Sequence, residues 1–419
     1  MKIDDGSIRY FNGSHIINAV IIIYIISIYI FSYMTGYTVI SNGLYMVLCG
    51  SIIYHLIFKC GGARVYFDKP VALYSLFFTI CLFSISYSEY KNNAMYRVKV
   101  LFILGVFFIL AYNYLVNTNN YKLMIVGMTV AGIVYAVYVI MYYGPSAYYE
   151  LLIRGERAGN EITNVNTIGL ISSTTFSLCM YYFLYHKKKF MLILSILPLI
   201  TSLGSGSRKA LVSCILSVFL LAFFKYKKSR NIKALMILIF SILIFYLAFQ
   251  YILSLPAFST ISNRFETFTN SFTNKGSVDN STKTRENMIK YGLKESKEHL
   301  IFGHGISNSN ILTRKYFGRD TYLHNNYVEL LYDVGLAGLL SYYSIFAWMF
   351  FKISKLLKEK KEYSQLFFVM LLIRLILDIG VVSYTEKETF IFLAAVSVYI
   401  KLNEQAERNF SDEQADKSN

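Results

Sequence analysis

Charged residues are scarce in this chain, which argues against an ordinary soluble domain. Asp, Glu, Lys and Arg make up 16% of its 419 residues, whereas 55% are hydrophobic and 17% are aromatic. The mean hydropathy is +0.45, well above that of a typical soluble domain. The alternation of polar and apolar residues that a membrane β-barrel needs is absent. Instead, apolar runs are long enough to cross a hydrocarbon core of about 30 Å as helices. The composition predicts an all-α polytopic membrane protein.

Metal-binding and nucleotide-binding motifs are also lacking. All five cysteines fall in or at the ends of apolar runs, so neither a disulfide framework nor a thiolate metal site is indicated. The segments expected outside the membrane contain no Asp-x-Asp pair that could hold a divalent cation beside a nucleotide-sugar diphosphate. A Gly-x-x-x-x-Gly-Lys loop for ATP is missing too. We therefore expect no metal and no cofactor.

The apolar runs predict about twelve transmembrane helices. They are placed at about 15–33, 38–58, 70–88, 97–116, 121–143, 165–185, 190–205, 209–224, 234–255, 326–351, 364–382 and 388–402. No small-residue cleavage site follows the first run, so it is expected to be retained. Asp68 and Pro70 support the third start, Asp as a cap and Pro in the first helical turn.

This pattern divides the chain into four parts. Residues 1–255 hold the first nine spans, residues 256–325 form a large polar loop, and residues 326–403 hold the last three spans. Residues 404–419 form a polar tail that is expected to be disordered.

Basic residues set the expected orientation. The net charge is +16, but many of the lysines and arginines cluster in short connections, which is typical of topology signals rather than of a nucleic-acid surface. Clusters at 187–189, 225–233 and 352–361 fall on one side if twelve spans alternate. The positive-inside rule makes that side the cytoplasm, with both termini. The link 144–164, the turn 204–209, the loop 256–325 and the turn 384–387 then lie outside.

Two local patterns refine this picture. Residues 284–298 are expected to form an amphipathic helix on the bilayer surface. The two glycines in the segment 301–306 favour a tight turn that ends this helix. The seventh and eighth spans are short, about 24 Å for roughly 16 residues. Their connecting turn should therefore lie below the outer headgroups, with Arg208 in a recessed pocket.

Three residues are the principal candidates for a site, each with an ordinary alternative. Arg208 could grip phosphate through its planar donor fork or could snorkel to lipid headgroups. Arg285 could hold the same phosphate or be a solvated surface arginine. His324 could act as a general base, oriented by Asp320 or Glu329, or be an interfacial histidine satisfied by backbone. His299 and His304 rank below it because neither stands at the start of a helix.

Other polar residues are secondary candidates. Arg374 and Asp378 are four residues apart on a predicted helix, so they should share a face and pair within the membrane, in a functional or a structural role. The segment before the sixth span is polar and could contact a substrate or cap the helix. The candidate substrate contacts are Arg157, Asn166 and Asn325.

Several short motifs recur together in the second half of the chain. In chain order they are Arg157-Ala158-Gly159, Asn164-Val165-Asn166, Gly204-Ser205-Gly206-Ser207-Arg208-Lys209-Ala210, Arg285, Phe302-Gly303-His304-Gly305, His324-Asn325-Asn326-Tyr327-Val328-Glu329-Leu330-Leu331 and Gly335-Leu336-Ala337-Gly338. Their order, spacing and common outside location resemble the O-antigen polymerase and O-antigen ligase superfamily. The resemblance covers about residues 150 to 345, and Val165 stands where the family pattern has a proline.

The resemblance implies a twelve-helix fold with a large outer loop, acting on sugars carried by undecaprenyl pyrophosphate without metal or nucleotide. It implies that Arg208 and Arg285 hold the pyrophosphate and that His324 activates the acceptor hydroxyl. We expect a surface polysaccharide polymerase of the bacterial inner membrane, acting at the periplasmic face, with a flippase and a chain-length regulator as partners and no nucleic acid. The alternatives are an O-antigen ligase that uses lipid A core, a protein O-linked oligosaccharyltransferase and, from another class, a transporter or flippase.

Overall fold

The computed structural model describes residues 13–32, 36–59, 64–154, 156–159, 161–226 and 280–418. Within these ranges the chain forms 14 α-helices and no strand, so the predicted all-α class is confirmed. The predicted ninth span at 234–255 and the part of the polar loop up to residue 279 lie outside the described residues.

The helices follow the apolar runs closely. The first nine are α1 (Gly13–Phe31), α2 (Thr38–Tyr54, continued by a π-helical turn at His55–Lys59), α3 (Lys69–Ser84), α4 (Lys91–Asn117), α5 (Lys122–Tyr143), α6 (Pro145–Ile153), α7 (Val165–His186), α8 (Lys189–Gly204) and α9 (Arg208–Tyr226). The next five are α10 (Asn280–Glu295), α11 (Ser309–Phe317), α12 (Asn326–Lys358), α13 (Ser364–Leu377) and α14 (Lys387–Ser418).

Seven described helices are long and apolar enough to cross a membrane, namely α1, α2 with its π-turn, α4, α5, α7, α9 and α12. Three more, α3, α8 and α13, are apolar but shorter. Together with the apolar first half of α14, they account for every predicted span except the ninth. The molecule is a polytopic helical membrane protein.

The connections between these helices gather at two opposite ends of the bundle. At one end, His186 and Lys122 both approach Glu362, at 3.8 and 3.2 Å, and Lys225 binds the carbonyl of Leu184. The predicted cytoplasmic clusters that the structure describes therefore share one end. The predicted outside connections share the other, where Arg157 binds the carbonyl of Gly206 at 3.1 Å.

The helix α12 is broken, which the continuous span predicted at 326–351 did not include. Gly335 has φ 66° and ψ −168° within it. The preceding loop fills the break, because the amides of Leu336 and Ala337 bind the carbonyls of Leu300 and Ile301 at 2.8 and 3.0 Å. A side chain at Gly335 would place its Cβ only 2.3 Å from the carbonyl oxygen of Ile301. Glycine is thus required here by both conformation and space.

The helices of the polar loop pack on the first part of α12. Met288 of α10 and Leu312 of α11 form a small apolar cluster with Leu323, Val328 and Tyr332. The loop helix predicted at 284–298 is confirmed, although it begins at Asn280 and ends at Glu295. Its apolar face was expected to rest on the bilayer, but Met288 instead packs against Leu323, Val328 and Tyr332 and is buried there.

Two smaller expectations were wrong. The tail after Asn403 is not disordered, since α14 continues to Ser418, and ion pairs of 2.6 Å (Lys352 with Glu404) and 2.9 Å (Lys355 with Glu407) attach it to α12. Asp68 stands at the start of α3 but makes no side-chain cap. It pairs instead with Lys401 at 3.0 Å, because an opposite charge competes successfully for the carboxylate.

We predict that Gly335→Ala lowers stability by about 3 kcal/mol, because it adds a clash with backbone to an unfavourable φ. Gly318→Ala is the matched control, since Gly318 has a similar φ of 63° but open space around its Cβ, and it should cost only about 1 kcal/mol. Thermal unfolding of both purified variants in detergent measures the difference. Equal losses would mean that the packing at the break contributes nothing.

Candidate functional site

A cavity of about 320 Å³ lies at the end of the bundle where the predicted outside connections meet. Its apolar part includes Met128, Leu170, Ile171, Met370, Ile373, Leu377 and Phe392. Its polar part includes Arg97, Asn164, Asn166, Lys209, Tyr322, His324, Arg374, Asp378 and Glu386. The cavity therefore combines an apolar lining from the helices with charged groups from the connections.

His324 lines this cavity. Hydrogen bonds of the residues on either side of it hold its backbone in place. The residue has φ 57°, a left-handed conformation that a non-glycine residue keeps only when its surroundings impose it. The preceding amide, of Leu323, donates to Glu329 Oε2 at 2.8 Å. The following residue, Asn325, caps α12 by accepting from the amide of Val328 at 3.0 Å. The imidazole lies against the ring of Tyr322, with centroids 4.2 Å apart.

The imidazole of His324 is kept neutral by its environment. Burial, and after it the positive charges of Arg285 and Lys209, lower its pKa from 6.5 to about 3. Each of these causes disfavours the protonated form. At neutral pH the ring can accept a proton, which is the state that a general base requires.

Neither carboxylate expected to orient the ring does so directly. Asp320 binds Arg314 and accepts from Tyr90 at 3.2 Å, and the hydrogen bond from Arg314 holds the pKa of Asp320 below its ordinary value. Glu329 is fully buried and binds the amide of Leu323 rather than the imidazole. Glu329 thus acts on His324 through the backbone.

Two cations, Lys209 and Arg285, act on His324, and a third, Arg208, adjoins Lys209. Lys209, in the first turn of α9, lines the cavity and donates to the carbonyl of Gly380. A side chain on Gly380 would meet Lys209 Cε at 2.6 Å, so this glycine makes room for the lysine. Arg285 lies within electrostatic range of both His324 and Lys209. Arg208 precedes Lys209 and is half-buried.

The structure brings the three principal candidates to the same end of the bundle, although only His324 is itself part of the cavity lining. Lys209 was missed in the sequence analysis. Its position next to Arg208 in the glycine-rich turn was the available signal, but lysines near helix ends are usually topology signals. Arg97 was missed too, because it stands at the boundary of a predicted span.

The secondary candidates divide into structural and lining residues. Arg157 donates to the carbonyl of Gly206 at 3.1 Å and so holds the turn before Arg208. Asn166 lines the cavity and accepts from the hydroxyl of Ser207 at 3.1 Å. Asn325 is committed to backbone, because its amide nitrogen donates to the carbonyl of Ile379 at 3.0 Å while its oxygen caps α12.

The predicted pair of Arg374 and Asp378 is present, with Nε and Oδ1 3.6 Å apart. Asp378 also accepts from the hydroxyls of Ser383 and Tyr343 at 2.6 and 2.9 Å. Arg374 binds the side chain of Thr389. Both charged groups line the cavity. These contacts satisfy Asp378, whereas Nε of Arg374 has the ion pair but no hydrogen-bond partner among the described residues. Among the described residues, no group of three or more His, Cys, Asp or Glu side chains is placed to hold a metal ion.

We predict that Arg285→Gln raises the pKa of His324 from about 3 toward the ordinary value of about 6.5, because one of the charges that oppose protonation is removed. Diethyl pyrocarbonate acylates only neutral imidazole, and mass spectrometry of the peptide with His324 reports its extent. The reaction of the unmodified protein should change little with pH between about pH 5 and pH 8. In Arg285→Gln the loss of reaction on acidification should begin at a higher pH than in the unmodified protein.

Arg319→Gln is the control, because Arg319 is an exposed arginine of the same loop. It should leave the reaction of His324 unchanged. A pH dependence that is the same in all three proteins would contradict the electrostatic role of Arg285.

Residues 190–343 match the family model described as O-antigen ligase. The matched part runs from α8 into α12 and contains Arg208, Arg285 and His324. No curated protein shows a significant match to the chain. The match supports a role as an O-antigen polymerase or ligase, a membrane enzyme of glycosyl transfer. The chain therefore carries an O-antigen ligase family domain within a polytopic membrane protein, which confirms the superfamily predicted from its motifs.

Proposed function

We propose that the protein polymerises a surface polysaccharide by transferring a saccharide from undecaprenyl pyrophosphate to a second lipid-linked repeat unit. The observation that carries this proposal is a neutral histidine that lines a largely apolar cavity and lies within electrostatic range of two cations. A lipid-linked pyrophosphate has the matching chemistry, with an apolar chain, a strongly negative group and a sugar beyond it. Such a donor places its reacting carbon near the histidine when the cations hold its phosphates.

In the proposed reaction, His324 accepts the proton of the acceptor hydroxyl as its oxygen attacks the anomeric carbon of the donor. The bond between that carbon and the pyrophosphate oxygen breaks, and undecaprenyl pyrophosphate leaves with the bonding electrons. Arg208, Arg285 and Lys209 stabilise the negative charge that develops on the leaving group. The proton remains on His324 until it is released to solvent.

The acceptor distinguishes the polymerase from the ligase. In a polymerase it is another lipid-linked repeat unit, and in a ligase it is lipid A core. The description of the matching family model favours the ligase. We favour the polymerase because no curated protein matches the chain significantly, and such divergence is typical of the polymerase group. A transporter is less well supported, since the candidate polar residues gather at one end of the bundle.

The proposed site faces the periplasm, with both termini in the cytoplasm. The basic clusters at the opposite end support this orientation through the positive-inside rule. A flippase would deliver the lipid-linked unit to this face, and a chain-length regulator would be a natural partner.

We predict that purified protein in vesicles converts a lipid-linked repeat unit, supplied alone, into a ladder of longer chains on a gel. His324→Ala should lower the rate roughly 10²- to 10⁴-fold, as expected for loss of a general base. Arg208→Ala should lower it about 10²-fold, and Arg208→Lys should fail as well if the planar fork is required. A ladder that forms only after lipid A core is added would identify a ligase instead.

His299→Ala is the matched control for His324→Ala, because His299 is an exposed histidine of the same loop. Its ladder should be unchanged. Long chains made by well-expressed His324→Ala protein would rule out His324 as the base. A working Arg208→Lys protein would show that positive charge alone suffices at this position.

We also predict a positioning role for Glu329, through the amide of Leu323. Glu329→Ala removes the acceptor and should lower kcat roughly 10- to 100-fold by displacing His324, while KM for the lipid donor stays unchanged. Glu329→Gln keeps an acceptor oxygen and should retain most of the activity. An inactive Glu329→Gln protein would instead require a role for the carboxylate charge, and a changed KM would indicate a defect in donor binding.

A further inference from the structure

Four apolar side chains at the end of α10 and in the turn after it face outward. We call Leu293, Leu300, Ile301 and Phe302 the apolar lip, and their exposed fractions are 45%, 44%, 61% and 62%. Large apolar side chains exposed as a group usually mark a surface that contacts another apolar phase. The lip belongs to the polar loop, at the same end of the molecule as the cavity.

The exposure of the lip is imposed by the fold. The carbonyls of Leu300 and Ile301 accept from the amides at the break in α12, and Gly303 follows with φ 72°. A Cβ on Gly303 would lie 2.5 Å from the carbonyl oxygen of Asp333. These close backbone contacts fix the turn, so Ile301 and Phe302 cannot fold back onto the protein.

The lip continues two surfaces that face lipid. The hydroxyl of Tyr87, just after α3, donates to the carbonyl of Phe302 at 2.8 Å. One turn earlier, Phe83 of α3 is 70% exposed, and beyond the break in α12 Leu340 is 65% exposed. In a polytopic membrane protein such side chains on apolar helices contact acyl chains. Tyrosine is the residue expected where these chains meet the headgroups.

Positive charges outnumber negative ones beside the lip, where three lysines are accompanied by Glu295 and Glu298. Lys290, Lys294 and Lys297 are exposed and lie three to four residues apart around Leu293, so they share one side of the helix and of the turn that follows it. Lysines beside exposed apolar residues are the pattern of a segment that binds a membrane surface containing anionic lipids.

We propose that the apolar lip inserts into the headgroup and acyl-chain boundary of the bilayer, with the three lysines bound to anionic headgroups. This anchor fixes α10, which carries Arg285, above the cavity. It does not depend on the glycosyl-transfer reaction, because the contact is with bulk lipid rather than with a substrate.

The test uses tryptophan fluorescence of the full-length protein in vesicles. The chain has one tryptophan, Trp348, so Phe302→Trp is made in a Trp348→Phe background. Vesicles of phosphatidylcholine and phosphatidylglycerol carry bromine either near the headgroup or near the chain end. Phe302→Trp should lose fluorescence to the shallow bromines and lose less to the deep ones.

Two matched positions calibrate the depth. Phe83→Trp reports the lipid-facing surface of α3 and should be quenched by deeper bromines. Arg319→Trp reports an exposed position of the same loop and should be quenched by aqueous iodide instead. If Phe302→Trp behaves like Arg319→Trp, the lip lies in water and the proposal is wrong. Blue-shifted emission without bromine quenching would assign the lip to a protein partner, such as a second copy of the chain, and would also overturn it.

The proposed binding of the three lysines to anionic headgroups is tested by varying the share of anionic lipid in the vesicles. Shallow quenching of Phe302→Trp should increase with the share of phosphatidylglycerol, and changing Lys290, Lys294 and Lys297 together to Gln should remove that increase. If quenching increases equally in the variant with all three lysines changed to Gln, the headgroup part of the proposal is wrong. Because all of these readouts are independent of activity, an inactive enzyme with a quenched lip would separate this inference from the proposed function.

Discussion

The side chain of Asn326 joins the two parts of the chain on which the site depends. It is fully buried at the start of α12. Its oxygen accepts from the amides of Ser383 and Tyr384 at 2.8 and 3.2 Å, and its nitrogen donates to the hydroxyl of Tyr343 at 2.8 Å. Its own backbone amide donates to the carbonyl of Asp378 at 2.8 Å. Buried backbone at the end of an apolar bundle cannot rely on water for partners. One amide side chain therefore fixes the turn between α13 and α14 against the residues that hold His324.

Other features of the site follow from this joint. The fixed turn presents the carbonyl of Gly380 to Lys209 and places Asp378 beside Arg374. On the other side of Asn326, the left-handed His324 is confined by Asn325 and by the bond between Leu323 and Glu329. The loop helices add Arg285 from a third direction. The turn before α9, the polar loop and the turn between α13 and α14 thus converge, and each contributes a charged or polar group to one region.

The sequence predicted the parts of this arrangement that have a periodic or compositional signal. Apolar runs located the spans, and the spacing of four positions from Arg374 to Asp378 was enough to predict their pair. The break at Gly335 could not be predicted, because a glycine within an apolar run is compatible with a continuous membrane helix. Glu329 was predicted as a candidate to orient His324, but its actual contact could not be predicted. Its partner is a backbone amide, and backbone contacts leave no trace in residue identity.

Burial does most to keep His324 neutral, and the charges of Arg285 and Lys209 add to it. These two charges make its strength as a base depend on the occupant of the cavity. With a pKa of about 3, the imidazole is a weak acceptor for the proton of a sugar hydroxyl. A diphosphate next to Arg285 and Lys209 opposes the positive field of these residues and therefore raises the pKa of His324. When the glycosidic bond breaks, the pyrophosphate gains further negative charge and stabilises the imidazolium that has just formed. In the proposed reaction, departure of the leaving group and proton transfer to His324 therefore reinforce each other, and the base reaches its full strength only with a donor in place.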